Sequence, residues 1–174
     1  MGVISIRCLS SMEEAELLDR KFSEQFRWYR RGDYFRKCLE ENLTGSRITL
    51  MAYYDNQLAG CCHLLFHSQY PYFQENNIPE INDLNVFPAF RRKKIASTMF
   101  DELESIVSVS SRYIGLGVGL YKDYGNAQKM YTSRGYIMDG NGMTYKNVQV
   151  EPGKTVMVDD DLIIYLIKDM KALN

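Results

Sequence analysis

The period of the hydrophobic positions changes along the chain, and each change marks an element. Val3, Ile4, Ile6 and Leu9 read as a short opening strand. Ser10 and Ser11 precede Glu13 and Glu14, the pattern of a capping box, so a helix is expected from Met12 towards Arg20. Phe22 to Leu39 is aromatic and charged and reads as helical in part. Ile48–Tyr54 and Leu58–Phe66 read as two strands of a hairpin around the turn residues Asp55 and Asn56. Ser68 to Pro79 reads as a long loop, a kind of segment that is often functional. Glu80 to Phe87 alternates as a strand does, and Pro88 ends it.

The clearest helix is expected over Arg91 to Val107, where Ile95, Met99, Leu103 and Ile106 recur at helical spacing. Tyr113–Val118 reads as a strand. Asn126 to Arg134 reads as a short helix capped by Asn126 and stopped by Gly135. Tyr136–Met138 and Met143–Val148 read as short strands around a turn at Asp139 to Gly142, and Leu162–Ile167 as a final strand. Strands that bracket well-spaced helices imply a mixed α/β sheet with helices on its faces. No repeat or linker interrupts the pattern, so residues 1–174 read as a single domain.

Composition narrows this picture. The 174 residues are 45% hydrophobic and 25% charged, which suits a globular domain with a real core and argues against disorder. Lys and Arg number 21 against 22 Asp and Glu, so no global basic field exists for nucleic acid, and any anion site must be local. The most apolar runs, at Tyr113–Tyr121 and Ile163–Ile167, are far shorter than the ~20 residues of a membrane helix. The beginning of the chain lacks a basic region followed by an apolar run, so neither a signal peptide nor a lipid anchor is expected. Cys8, Cys38, Cys61 and Cys62 make no zinc spacing with His63 or His67. They read as reduced thiols of a cytoplasmic protein without a bound metal.

Candidate chemistry concentrates at Val86 to Ala96, where a strand end passes through a tight loop towards a helix. Arg91, Arg92, Lys93 and Lys94 are consecutive cations, expected on the first helical turn. Cations there oppose the helix dipole, whereas the free N–H groups attract anions. A bound phosphate would reverse the penalty; a solvated charged turn is the simpler alternative. The stretch has no Gly-Lys-Ser/Thr and no glycines, so it is neither a P-loop nor a dinucleotide fingerprint.

Val86 to Ala96, with Asn126 to Tyr136, resembles the GNAT superfamily of acetyl-CoA-dependent N-acetyltransferases. The family's Gln/Arg-x-x-Gly-x-Gly/Ala segment wraps the pyrophosphate of coenzyme A. Arg91, Lys94 and Ala96 stand at its marked positions, with Arg92, Lys93 and Ile95 between them. Lys94 replaces the usual glycine, so its side chain either crowds the phosphates or neutralises them. The second reading is preferred, because the loop offers it no anionic partner. Asn126 to Tyr136 is similar to the family's Asn-x-x-Ala-x-x-Leu/Met-Tyr-x-x-x-Gly-Phe/Tyr segment, in the variant with alanine directly after asparagine.

The resemblance implies an α/β (α+β) fold. Its sheet would be mixed and largely antiparallel, with helices on both faces and a splayed cleft between the two central strands. It implies acetyl-CoA as co-substrate and direct attack by a primary amine in a ternary complex. Tyr131 matches the family's general acid, although its spacing also suits a core tyrosine. Leu84 and Val86 match the strand whose backbone pairs with pantetheine, the N–H of Val86 holding the oxyanion. Asn126 either caps its helix or binds pantetheine. Glu80 is the preferred general base, acting through water, with Asp83 next and solvent as a third possibility. Alternation would place Glu80 on the face of Asn82, Leu84 and Val86, opposite Asp83.

The acceptor side would draw on Phe26, Trp28, Tyr29, Tyr34, Tyr70, Tyr72 and Phe73, of which Trp28, Tyr29, Tyr72 and Phe73 are the chosen contacts. Asp139, Asp159, Asp160 and Asp161 are available acids. Aromatics with acids suit a cationic amine, small-molecule or peptide. No nucleic-acid or membrane partner is expected, and a homodimer is left open. Three rival classes remain: a non-catalytic CoA-binding protein of the same fold, a small nucleic-acid-binding module, and an acyltransferase using a longer acyl group or an alcohol acceptor.

Overall fold

The computed structural model describes residues 2–171. Its elements are β1 (Ile4–Cys8), α1 (Met12–Gln25), α2 (Tyr34–Thr44), β2 (Arg47–Tyr54), β3 (Gln57–Leu65), α3 (Pro71–Glu75), β4 (Glu80–Val86), α4 (Ile95–Ser108), β5 (Tyr113–Gly119), α5 (Gly125–Ser133), β6 (Ile137–Tyr145), β7 (Val148–Gln149) and β8 (Leu162–Asp169). Hydrogen-bonded neighbours follow the order β1-β2-β3-β4-β5-β8-β6-β7. The β4/β5 pair is parallel, and β1/β2, β2/β3, β5/β8, β6/β8 and β6/β7 are antiparallel. The alternation of elements implies a mixed α/β sheet, and the resemblance a largely antiparallel one; both are observed.

The chain divides into two compact units. One contains the residues up to Leu65 with Asn82–Leu103, the other Phe66–Ile81 with the residues from Glu104 onward. Strand β4 and helix α4 each contribute to both. The parallel ladder joins Glu80 to Gly115 and Ile81 to Leu116, inside the second unit.

In the first unit the capping box forms as expected. Ser11 Oγ accepts from the N–H of Glu14 at 3.2 Å, and Glu14 accepts from the N–H of Ser10 at 2.8 Å. Helix α1 runs past Arg20 to Gln25, because Phe22 continues the stripe of Ala15 and Leu18 into the core. Phe22 makes edge-on ring contacts with Phe26, Tyr29, Phe35 and Phe87. Helix α2 ends at Gly45, whose φ of 78° is the left-handed form a helix stop requires. Adjacent Cys61 and Cys62 are both fully buried, so β3 is covered on both faces. Burial pushes the thiols of Cys61 and Cys62 well up and that of Cys38 to about 11, as in inert core cysteines.

The second unit has its own apolar cluster of Tyr70, Phe73, Ile78 and Tyr165. The rings of Tyr70 and Tyr165 stack at 3.7 Å. The segment expected to be a loop contains α3, opened by Pro71 in its first turn and pinned by fully buried Phe73. Gly115 faces the Phe73 ring, and a Cβ there would strike it. The two short strands expected around Asp139 to Gly142 are one strand, β6, whose pairing with β8 shifts register between Met138 and Met143. Left-handed Gly140 and Gly142 absorb the irregularity that reads locally as a turn.

Candidate active site

The four cations do not occupy a helical turn. Helix α4 begins only at Ile95, because Arg92 and Lys94 have φ of 59° and 66°, which no right-handed helix accommodates. Lys94 thus adopts the backbone of the glycine it replaces. Left-handed residues alternating with others turn successive N–H groups towards one side, the geometry of an anion-binding nest. Behind the loop, the first helical bond runs from the N–H of Thr98 to Lys94 O at 3.0 Å. The amides of Ile95, Ala96 and Ser97 therefore precede the helical ladder and remain donors for an anion.

The cations themselves divide. All four are exposed. Arg91 Nε donates to Val86 O at 3.3 Å, tying the loop to the end of β4. Lys93 Nζ lies 4.3 Å from the Tyr54 ring centre and 5.5 Å from that of Phe90. These residues, donor set and charge, fit a pyrophosphate.

Strand β4 also carries a left-handed residue, Asp83, with φ of 48°. Aspartate tolerates this conformation better than most residues, and Asn85 Nδ2 bonds the Asp83 carbonyl at 3.2 Å. Such a residue interrupts strand alternation, so the expected continuous face of Glu80, Asn82, Leu84 and Val86 is broken at Asp83. Leu84 and Val86 are half-buried, and Phe87 N–H anchors the strand end to Ala59 O at 2.8 Å. Gly60 on β3 lies against the Asn85 carbonyl and the Val86 Cα, where a Cβ would not fit.

The two candidate bases stand in different surroundings. Glu80 is buried in the second unit, where Ser68 Oγ donates to it at 2.5 Å and accepts from Tyr70 N–H at 3.0 Å. Asp83 is exposed in the first unit and accepts from Tyr34 OH at 2.7 Å. Tyr131 is buried in the second unit, edge-on to Tyr136 at 6.3 Å. Asn126 does not cap α5: the helix starts at Gly125, after a 3-10 turn at Lys122–Tyr124, which leaves Asn126 exposed inside its first turn. Gly135, at φ of 87°, follows the helix as expected.

The family model described as acetyltransferase (GNAT) family matches residues 9–136, which include the loop, β4 and α5. The chain belongs to the acetyltransferase (GNAT) family. Solved structures of the same fold include a GNAT-family acetyltransferase from Desulfovibrio desulfuricans, with TM-score 0.70 and 13% identity over 97% of this chain and 99% of that one. A spermidine N-acetyltransferase chimera from Vibrio cholerae and human sequences gives 0.67 and 14% identity over 98% of each chain. Arabidopsis thaliana NAA60, solved with acetyl-CoA, gives 0.69 and 13% identity over 97% of this chain and 99% of that one. At such identities these structures establish the fold alone. No curated sequence matches the chain.

In this GNAT protein the aromatics expected on the acceptor side have different fates. Tyr29 is buried and donates to Asp19 at 2.7 Å, and Phe73 is fully buried, so both belong to the cores. Trp28 is 64% exposed and stacks on Phe26 at 5.2 Å, and Tyr72 is half-buried, so these two retain surface for a ligand. Three of the four acids are tied to phenols, and the fourth, Asp161, donates its N–H to Asp159 at 3.0 Å. Asp139 accepts from Tyr70 at 2.7 Å, Asp159 from Tyr145 at 3.1 Å, and Asp160 from Tyr121 and from Tyr124, the latter at 2.8 Å. Sequence reasoning did not find Ser68 beside Glu80, nor His63 and Thr49 behind Tyr34. No local signal marks them, because their partners lie on other strands and helices.

Proposed function

We propose that the protein is an N-acetyltransferase that moves the acetyl group of acetyl-CoA to a primary amine by direct attack. The observation that carries this reading is the loop at Arg91–Lys94, a glycine-like backbone held by non-glycine cations at the start of α4. A chain has little reason to place two lysine or arginine residues in a strained left-handed form unless the resulting donors are used. Loop amides and side chains would bind the pyrophosphate, and the backbone of Leu84 and Val86 would orient the pantetheine arm.

The chemistry needs a neutral amine and a protonated leaving thiol. The amine nitrogen bonds the acetyl carbon, and the carbon–sulfur bond breaks. A β4 carboxylate takes one proton from the nitrogen, while the Tyr131 hydroxyl gives one to sulfur. Solvent returns both groups to their starting states. Of the two carboxylates, Asp83 is accessible to an incoming amine, whereas Glu80 is buried against Ser68. Asp83 is therefore the better base. The exposed Asp83 carboxylate and exposed Trp28 of the first unit suit a cationic acceptor, and a spermidine N-acetyltransferase shares the fold.

Free-thiol release from acetyl-CoA, measured on a panel of polyamines, amino-acid derivatives and peptides, tests the reading. Tyr131→Phe should lower kcat at least tenfold with acetyl-CoA affinity retained. Absence of acetyl-CoA binding overturns the proposal. Binding without turnover on a broad panel supports the non-catalytic alternative.

A further inference from the structure

A line of polar side chains crosses the interior of the first unit and ends at Asp83. Thr49 on β2 and His63 on β3 are both buried, with Thr49 Oγ1 2.9 Å from His63 Nδ1. His63 Nε2 faces Tyr34 OH at 3.4 Å and Cys61 Sγ at 3.8 Å. Tyr34, at the first position of α2, donates to Asp83 Oδ2 at 2.7 Å. The rings of Phe35 and Tyr34 enclose the imidazole.

Proton counting gives the line a direction. The carboxylate only accepts, so the single phenolic proton of Tyr34 belongs to Asp83. Tyr34 oxygen is then an acceptor for His63, which requires the proton on Nε2. Nδ1 in turn accepts the hydroxyl proton of Thr49. With the proton on Nδ1 instead, this line would offer the buried Thr49 hydroxyl no acceptor, a costly arrangement in a core. Each donor thus points towards Asp83, and hydrogen bonds in series polarise one another.

We propose that Tyr34, held by His63 and Thr49, is a positioning residue that fixes the Asp83 carboxylate in the orientation that takes the proton of the acceptor amine. The proposal rests on the acetyl-transfer reading. The groups facing Asp83 and its partners are Tyr34, Cys38 and Glu41 from α2, Arg47 from β2, and Cys61, Cys62 and His63 from β3. Burial and the neighbouring Asp83 carboxylate push the Tyr34 phenol far up, so it stays a donor throughout the working range. Burial, with Arg47 nearby, holds His63 down at about 3, so the imidazole stays neutral there.

The test is Tyr34→Phe compared with Asp83→Asn, read by kcat and KM for the amine. Tyr34→Phe should lower kcat about tenfold or more, change KM for the amine little, and leave the acetyl-CoA dissociation constant within about twofold. Asp83→Asn should lower kcat at least as far, and as an exposed substitution it should fold normally. Unchanged kcat in folded Tyr34→Phe overturns the proposal, as does full activity in Asp83→Asn. A second readout needs no substrate: the ¹⁵N spectrum of the wild-type imidazole should show Nε2 protonated and Nδ1 bare. A proton on Nδ1 overturns the direction of the line. A wild-type protein that neither binds acetyl-CoA nor releases thiol overturns the acetyl-transfer reading, and with it the role of Asp83 as base.

Discussion

Arg134 grips Glu104 with two nitrogens, Nε 3.1 Å from Oε1 and Nη2 3.0 Å from Oε2. The same carboxylate accepts from Lys168 Nζ at 2.8 Å and from Tyr136 OH at 3.1 Å. One acid on α4 thus ties down the residue after α5, the start of the β6 segment and β8. Tyr131 lies one helical turn before Arg134, so this cluster fixes the helix that carries the expected acid. Because Glu104 and Lys168 are buried, removing one partner leaves an uncompensated charge. Glu104→Ala should cost about 3–5 kcal/mol in urea unfolding. A loss under ~1 kcal/mol would show that water compensates the cluster.

Lys94 separates backbone strain from charge. Both Lys94→Gly and Lys94→Ala remove the cation, but only glycine relieves the φ of 66°. Thermal unfolding should rank glycine above alanine by about 1 kcal/mol, the cost of a left-handed non-glycine residue. If the ammonium meets phosphate, both variants should weaken acetyl-CoA equally and flatten its salt dependence. Tighter binding by the glycine variant would mean that the side chain crowds the ligand.

His63 should make stability depend on pH. Its folded value is about 3, while an exposed histidine titrates near ~6.5. Between those limits the unfolded chain binds the extra proton, so stability falls as pH is lowered through this window. The slope is about 1.4 kcal/mol per pH unit for one proton. His63→Gln should lose stability overall but flatten the slope below pH ~6. Equal slopes in the two proteins would show that the imidazole is protonated in the fold.

Gly60 tests the close approach of β3 to the end of β4. A Cβ would strike the Asn85 carbonyl and reach Val86 Cα at 3.2 Å, contacts with backbone that cannot rotate away. Gly60→Ala should cost about 1–3 kcal/mol and, by displacing Val86, weaken acetyl-CoA binding. Calorimetry on the folded variant checks both. Unaltered affinity would separate the Val86 backbone from the ligand.

Much of the fold is legible in local pattern. Ala15 and Leu18, and Ile95, Met99 and Leu103, recur at helical spacing and are buried. Ser11 with Glu14 marks the start of α1. The family is legible in Arg91–Ala96 and Asn126–Tyr136 because each is a short contiguous motif. The start of α4 is misread because Arg92 and Lys94 carry no local sign of a positive φ. Alternation fails at Asp83 for the same reason, and Asn126 sits one residue inside α5 because a 3-10 turn precedes it.

The sequence by itself determined the order and type of the principal elements, the family, and the run of cations at Arg91–Lys94 that marks the candidate loop. Those properties follow from periodicity and from short contiguous motifs. The tertiary structure alone decided that Glu80 is buried against Ser68 while Asp83 is exposed, and that Tyr29 and Phe73 are core residues. It also brought Tyr34, His63 and Asp83 together from positions 29 and 49 residues apart. No local pattern encodes such contacts, because they arise when helices and strands from distant parts of the chain bury their apolar faces together. The polar groups carried inward with those faces must then find their partners there.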